Sequence, residues 1–131
     1  MEKIIKELTD YLYTIETFDK DSAQDGQALH AYLIELTNKQ ARANFIMAEY
    51  KMKMRKEKAA NYLKLAASSQ AQEKYYSPSL AKDFIDAQSS DVSFVFDLAE
   101  RLSRCCTHTM DSLRTIISSL KSERSFANFQ S

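Results

Sequence analysis

Apolar residues recur at helical spacing from the first turn of the chain. Ile4, Ile5, Leu8, Tyr11, Leu12, Ile15 and Phe18 fall at steps of one and three. That spacing predicts an amphipathic helix over 1–19. The pattern breaks in segment 19–26, DKDSAQDG. Ser22 followed by Asp25 reads as an N-cap with an acidic first turn, which places a turn near 19–22. Nothing then stops a helix over 23–74. Unbroken, it would be on the order of 75 Å long. Its weakest stretch is 66–72, which holds few large apolar groups. Tyr75-Tyr76-Ser77-Pro78 is a clear stop, because proline disfavours helix in the residue before it and suits the first turn after it. Ser77 then caps a short helix over 78–88, and Ser89-Ser90-Asp91 caps a last one over 91–124.

That last helix has the strongest periodicity. Val92, Val95, Ala99, Leu102, Cys106, Thr109, Leu113, Ile116 and Leu120 alternate steps of three and four. Phe96, Met110 and Ile117 widen the stripe. The whole pattern predicts an all-α fold without a sheet: one helical domain over 1–131, built as a hairpin of long antiparallel helices with coiled-coil-like packing. Phe126 and Phe129 in the tail are candidates to dock on it.

Composition sharpens this picture. The chain of 131 residues holds one glycine, Gly26, and one proline, Pro78. A sheet-rich domain needs turn residues far more often. A phosphate-binding loop or dinucleotide fingerprint cannot be built from one glycine. No apolar run is long enough to cross a membrane. The N-terminus interleaves charges with apolar residues, unlike a signal peptide. The two cysteines, Cys105 and Cys106, are adjacent on a helix and do not form an ordinary disulfide. A cytoplasmic setting is therefore expected, a host cytoplasm if the chain is phage-encoded.

Projection of residues 29–65 on a helical wheel gives two apolar stripes. One holds Leu29, Leu36, Ala43, Met47, Tyr50, Met54 and Leu65, and the other Ile34, Phe45, Met52, Ala59 and Leu63. A helix in a small monomer normally buries one stripe. Two stripes predict a homo-oligomer, with Phe45, Met47, Tyr50, Met52, Met54 and Leu63 as its expected interface.

Charge changes the picture again. Lys plus Arg and Asp plus Glu both number 18, so the net charge is zero. The distribution is uneven: net −5 over 1–35, +7 over 36–82 and −2 over 83–131. Residues 51–58 hold five cations and one anion. Lys51, Arg55, Lys58 and Tyr62 share one helix face, and Lys53, Lys56 and Lys64 lie on the other flank. Cations beside an aromatic ring suit single-stranded nucleic acid, since they neutralise phosphates while the ring stacks on any base. These seven residues are the candidate nucleic-acid site. The plainer alternative is the solvated face of a long helix, where lysine is an ordinary helix former.

Other chemistry is thin. Cys105 and His108 would be two of the four ligands of a structural zinc, and His30 is the only other histidine. Asp111 near His108 does not complete a convincing nucleophilic site. No metal, no cofactor and no catalytic residue is expected, so the chain reads as a non-enzymatic protein.

The order of features adds one resemblance. A basic central helix is followed by Tyr75-Tyr76 and an acidic, serine-containing segment 82–91. A final helix carries Cys106-x4-Asp111-x-Leu113 and then Ile117-Ser-Ser-Leu-Lys-Ser-Glu-Arg-Ser-Phe126. Over roughly 40–126 this resembles the UvsY-like recombination mediators of tailed phages. The resemblance implies ring-like homo-oligomers that bind single-stranded DNA without sequence preference. It implies that they help load a recombinase by displacing single-strand-binding protein. By position the family's basic stretch falls on Lys51, Lys53, Arg55, Lys56 and Lys58. The chain departs from the pattern in its zero net charge. A different class of function is a helical adaptor or inhibitor, such as a phage product acting on a host protein, in which Asp10, Glu16, Asp19, Asp21 and Asp25 meet a basic partner. A third is a purely structural helical component of a virion or cytoskeleton.

Overall fold

The computed structural model describes residues 1–18, 26–72 and 75–130, side chains of 71, 72 and 126–130 excepted. Among them are four helices and no strand. These are α1 (Glu2–Glu16), α2 (Gly26–Gln72), α3 (Pro78–Gln88) and α4 (Ser90–Gln130). The expected turn at 19–22, the Ser22 cap, Asp25 and the side chains of Phe126 and Phe129 lie outside the described residues.

The 47 residues of α2 form one helix that does not break within 66–72. Ala and Gln are good helix formers and hold the helix without large apolar groups. At 1.5 Å per residue it is about 70 Å long. α3 starts as the sequence implies: Pro78 opens it and the Ser77 hydroxyl accepts a bond from the Leu80 amide at 3.2 Å. The next junction differs from expectation. α4 begins at Ser90, directly after Ser89. Ser89 is fully buried and its hydroxyl donates back to the Ile85 carbonyl at 3.0 Å, so it closes α3 rather than capping α4 with its side chain. α4 also runs six residues past the expected end at 124.

α2 and α4 pair antiparallel in a fixed register. The Thr37 hydroxyl reaches the Met110 sulfur at 3.5 Å, and the Gln40 amide donates to the Thr107 hydroxyl at 2.6 Å. The Ser103 hydroxyl donates to Asn44 Oδ1 at 2.8 Å, and that of Ser93 to the Met54 sulfur at 3.1 Å. Each advance along α2 thus meets an equal retreat along α4. α1 runs antiparallel to α2, because Glu7 meets Arg42 and Phe18 stacks on Tyr32 with ring centroids 3.8 Å apart. That stack helps bury Tyr32, whose hydroxyl has no hydrogen-bond partner among the described residues. Burial pushes its pKa up to about 12.

One core runs between these three helices. α2 contributes Leu29, Tyr32, Leu36, Ala43, Ile46 and Tyr50, and α1 contributes Leu8, Leu12 and Ile15. α4 contributes Val92, Val95, Ala99, Leu102, Cys106, Met110, Leu113 and Ile117. Ile117, not Ile116, is the buried residue of its turn. One charge enters the stripe of α2: the Lys39 side chain is 11% exposed, paired with Glu35 at 3.1 Å and lying 5.3 Å from the Tyr11 ring centroid.

The ion pair of α1 with α2 carries a pH dependence. Arg42 Nε and Nη2 donate to the two Glu7 oxygens at 2.9 and 3.3 Å. Those bonds hold the Glu7 carboxyl below its ordinary value of 4.5. A carboxyl lowered on folding stabilises above its unfolded value and loses that contribution as pH falls through its folded value. The Glu7→Gln variant is expected to lose about 1 kcal/mol at pH 7 after solvent screening. Urea melts of the two chains should differ at pH 7 and converge as pH drops well below 4.5. Equal melts at pH 7 would refute a stabilising pair.

Candidate nucleic-acid interface

The outer half of α2 carries the candidate residues, and α3 folds back beside it. Ile85 is the buried residue of α3, and Asp86 pairs with Lys58 at 3.2 Å. The fold-back encloses a cleft of about 700 Å³. Three tyrosines line it, Tyr62 from α2 and Tyr75 and Tyr76 from the segment before α3. Lys58 and Lys82 stand at its walls with Asp86, and Ala59, Pro78, Ala81 and Ile85 complete them. Tyr62 is 59% exposed and Tyr75 is 87% exposed, so two rings present faces to solvent.

The seven candidates do not behave alike. Lys58 and Tyr62 meet in the cleft. Lys51 borders a second groove of about 310 Å³ with Asn44, Met47, Ala48 and Phe96. Lys53 is engaged within the chain, with Glu49 at 3.3 Å and the Tyr50 ring centroid at 4.5 Å. Arg55, Lys56 and Lys64 are exposed, and with Lys51 they have no ion pair among the described residues. An unpaired cation keeps its full field for an external anion, whereas a paired one must first release its partner. The cleft adds Tyr75, Tyr76 and Lys82, which wheel projection of α2 does not reveal. Their signal was the Tyr-Tyr pair just before Ser77-Pro78, a stop that turns the chain back toward Tyr62.

The expected oligomer interface divides in two. Phe45, Met52 and Leu63 are exposed at 61%, 57% and 68%. Tyr50 is buried in the core, and Met47 and Met54 are half-buried and pack against it. These three are corrected from interface to core. They share the stripe of Leu36 and Ala43, which this chain's own α4 already covers.

Cys106 is buried, and burial pushes its thiol up to about 11, which keeps it as the neutral thiol at pH 7. Cys105 is half-buried. No group of three or more His, Cys, Asp or Glu among the described residues could hold a metal ion. No helix among them is long and apolar enough to cross a membrane.

These features define an all-helical protein with a basic, tyrosine-lined cleft and an uncovered apolar stripe on one long helix. Comparison with protein families, curated proteins and solved structures finds no match in any of the three.

Proposed function

We propose that this is a non-enzymatic, self-associating helical protein that binds single-stranded DNA electrostatically. The UvsY-like resemblance extends the proposal to a phage-type accessory of recombination, with a recombinase or single-strand-binding protein as protein partner. One observation carries it: three tyrosines share a cleft with Lys58, Lys82 and Asp86, on a helix whose Lys51, Arg55 and Lys56 have no ion pair among the described residues.

The chemistry follows from that arrangement. Phosphates of a flexible strand displace counterions as they meet the cations, which favours binding by entropy. A tyrosine face accepts any base, and each stack contributes about 1–3 kcal/mol. Neither element reads sequence. The zero net charge does not oppose this, because screening limits the field to about 10 Å at ordinary salt. Within that range a strand along residues 51–58 meets five cations and one anion.

Fluorescence anisotropy of a labelled oligonucleotide tests the proposal. Binding is expected at about 50 mM salt, equal for oligothymidine and mixed sequences, and falling steeply as salt rises. No binding at low salt would overturn it. A nuclease-resistant complex with a host protein in its place would favour the adaptor alternative.

A further inference from the structure

The uncovered stripe of α2 carries more information than its exposure. From Ile34 outward its positions recur at steps of four and three: Ile34, Asn38, Ala41, Phe45, Ala48, Met52, Arg55 and Ala59. All eight are exposed, with Ile34 at 66%. Its three large apolar residues, Ile34, Phe45 and Met52, are separated by the alanines 41 and 48 and by Asn38, and Arg55 and Ala59 end it. The spacing is that of a helix–helix seam, sustained over about four heptads.

We infer that this face docks a second copy of the chain, antiparallel, with the two-fold axis passing between Phe45 and Ala48. The inference deepens the self-association in the function proposed above and does not depend on DNA binding. In this register Phe45 of each copy faces Ala48 of the other, Met52 faces Ala41, and Ile34 faces Ala59. Every large residue meets a small one, which lets two helices approach at uniform distance. Arg55 faces Asn38, a polar layer that costs little.

Charge selects the same register. In an antiparallel pair, like flanks face each other. On one flank Arg42 meets Glu49 of the second copy, and Glu35 meets Lys56. Both pairs are of opposite sign. Arg42, Glu49 and Glu35 already have partners within the chain, yet their side chains stay 41%, 40% and 55% exposed. On the other flank Asn44, Thr37 and Lys58 are held by Ser103, Met110 and Asp86 of their own chain, and the register opposes no like charges there. The parallel alternative sets Phe45 against Phe45 and alanine against alanine, leaving alternate bulges and gaps. It also brings Lys51 toward Lys56 of the other copy. Size and sign therefore both disfavour it.

The pairing sets the spacing of the basic segments. The two Arg55 residues lie about 25 Å apart along the helix axes, on opposite sides of the two-fold. A strand long enough to reach both would gain by avidity.

Two measurements without nucleic acid test the inference on the full chain. Sedimentation equilibrium at about 50 µM should give a dimer or an even-numbered assembly, and Phe45→Glu should raise the dissociation constant at least about tenfold. Unchanged circular dichroism would show that this variant still folds, as an exposed position requires. For the register, Ile34→Cys and Ala59→Cys chains are made in a Cys105→Ser background and mixed under oxidation. Cross-links between 34 and 59 are expected, and neither chain should cross-link to itself. A monomer at that concentration, or a 34-to-34 cross-link, overturns the inference. DNA binding is scored separately on the same chains, so a monomer that still binds DNA overturns the pairing and leaves the DNA-binding reading standing.

Discussion

Leu102→Ala is expected to cost about 3 kcal/mol of folding stability, read as a drop in the urea midpoint with the slope unchanged. Leu102 is fully buried in α4. The α2–α4 register puts it level with Ala43 and Ile46, both fully buried themselves. Truncation removes apolar contacts and leaves a cavity that two rigid helices close only in part. With total stability of about 5–15 kcal/mol for a domain this size, that is a large fraction. Leu80→Ala on α3, at a position 55% exposed, should change stability by less than about 0.5 kcal/mol. A loss at Leu102 no larger than at Leu80 would contradict the core described above.

The second large effect concerns binding. Lys51→Glu, Lys64→Glu and Lys82→Glu together should weaken single-stranded DNA binding about a hundredfold at low salt. All three side chains are exposed and lack an ion pair among the described residues, so the fold should be indifferent to their sign. Lys58 is left alone, because its pair with Asp86 anchors α3. Each lost phosphate contact should also lower the salt dependence, by about 0.7 in the logarithmic slope for a single strand. Three losses then lower it by about 2. Lys3→Glu with Lys6→Glu, on exposed turns of α1, serves as the control and should leave binding unchanged. An equal loss in the control would mean that net charge, and not the cleft, governs binding.

Much of the fold was legible in the sequence, and the reasons for the misses are physical. α3 spans the 78–88 expected from Ser77 and Pro78, because a proline and a cap fix a helix start locally. The Ile116 turn of α4 shows the limit of a fixed three–four step. That step has a period of 3.5, while a straight helix turns every 3.6 residues, so the buried stripe drifts onto Met110 and Ile117, which the sequence marked as widening it. The two stripes of α2 were separable on a wheel, yet the wheel does not say which faces inward. Tyr50 and Phe45 are similar in size and differ by 140° around the helix. Only the position of α4 decides that Tyr50 is covered and Phe45 is not. The cleft was the least legible feature. Tyr62 and Tyr75 come to line one cleft because α3 lies beside α2, and the Tyr-Tyr-Ser-Pro stop marks a turn without saying which face of α2 it returns to.

The core has an end. On α2 its buried residues stop at Tyr50, and none of residues 51–70 is fully shielded from solvent. Amide hydrogens in Leu29–Tyr50 should therefore exchange only when the whole bundle unfolds. Those in 55–70 should exchange through a smaller, separate opening, at rates faster by orders of magnitude. The helix is continuous, but its two halves are expected to open as different cooperative units. The outer unit holds the tyrosines and the free cations, so anything that binds there also tightens it. Slowed exchange in 55–70 on adding a ligand would then report occupancy directly, without a label on either partner.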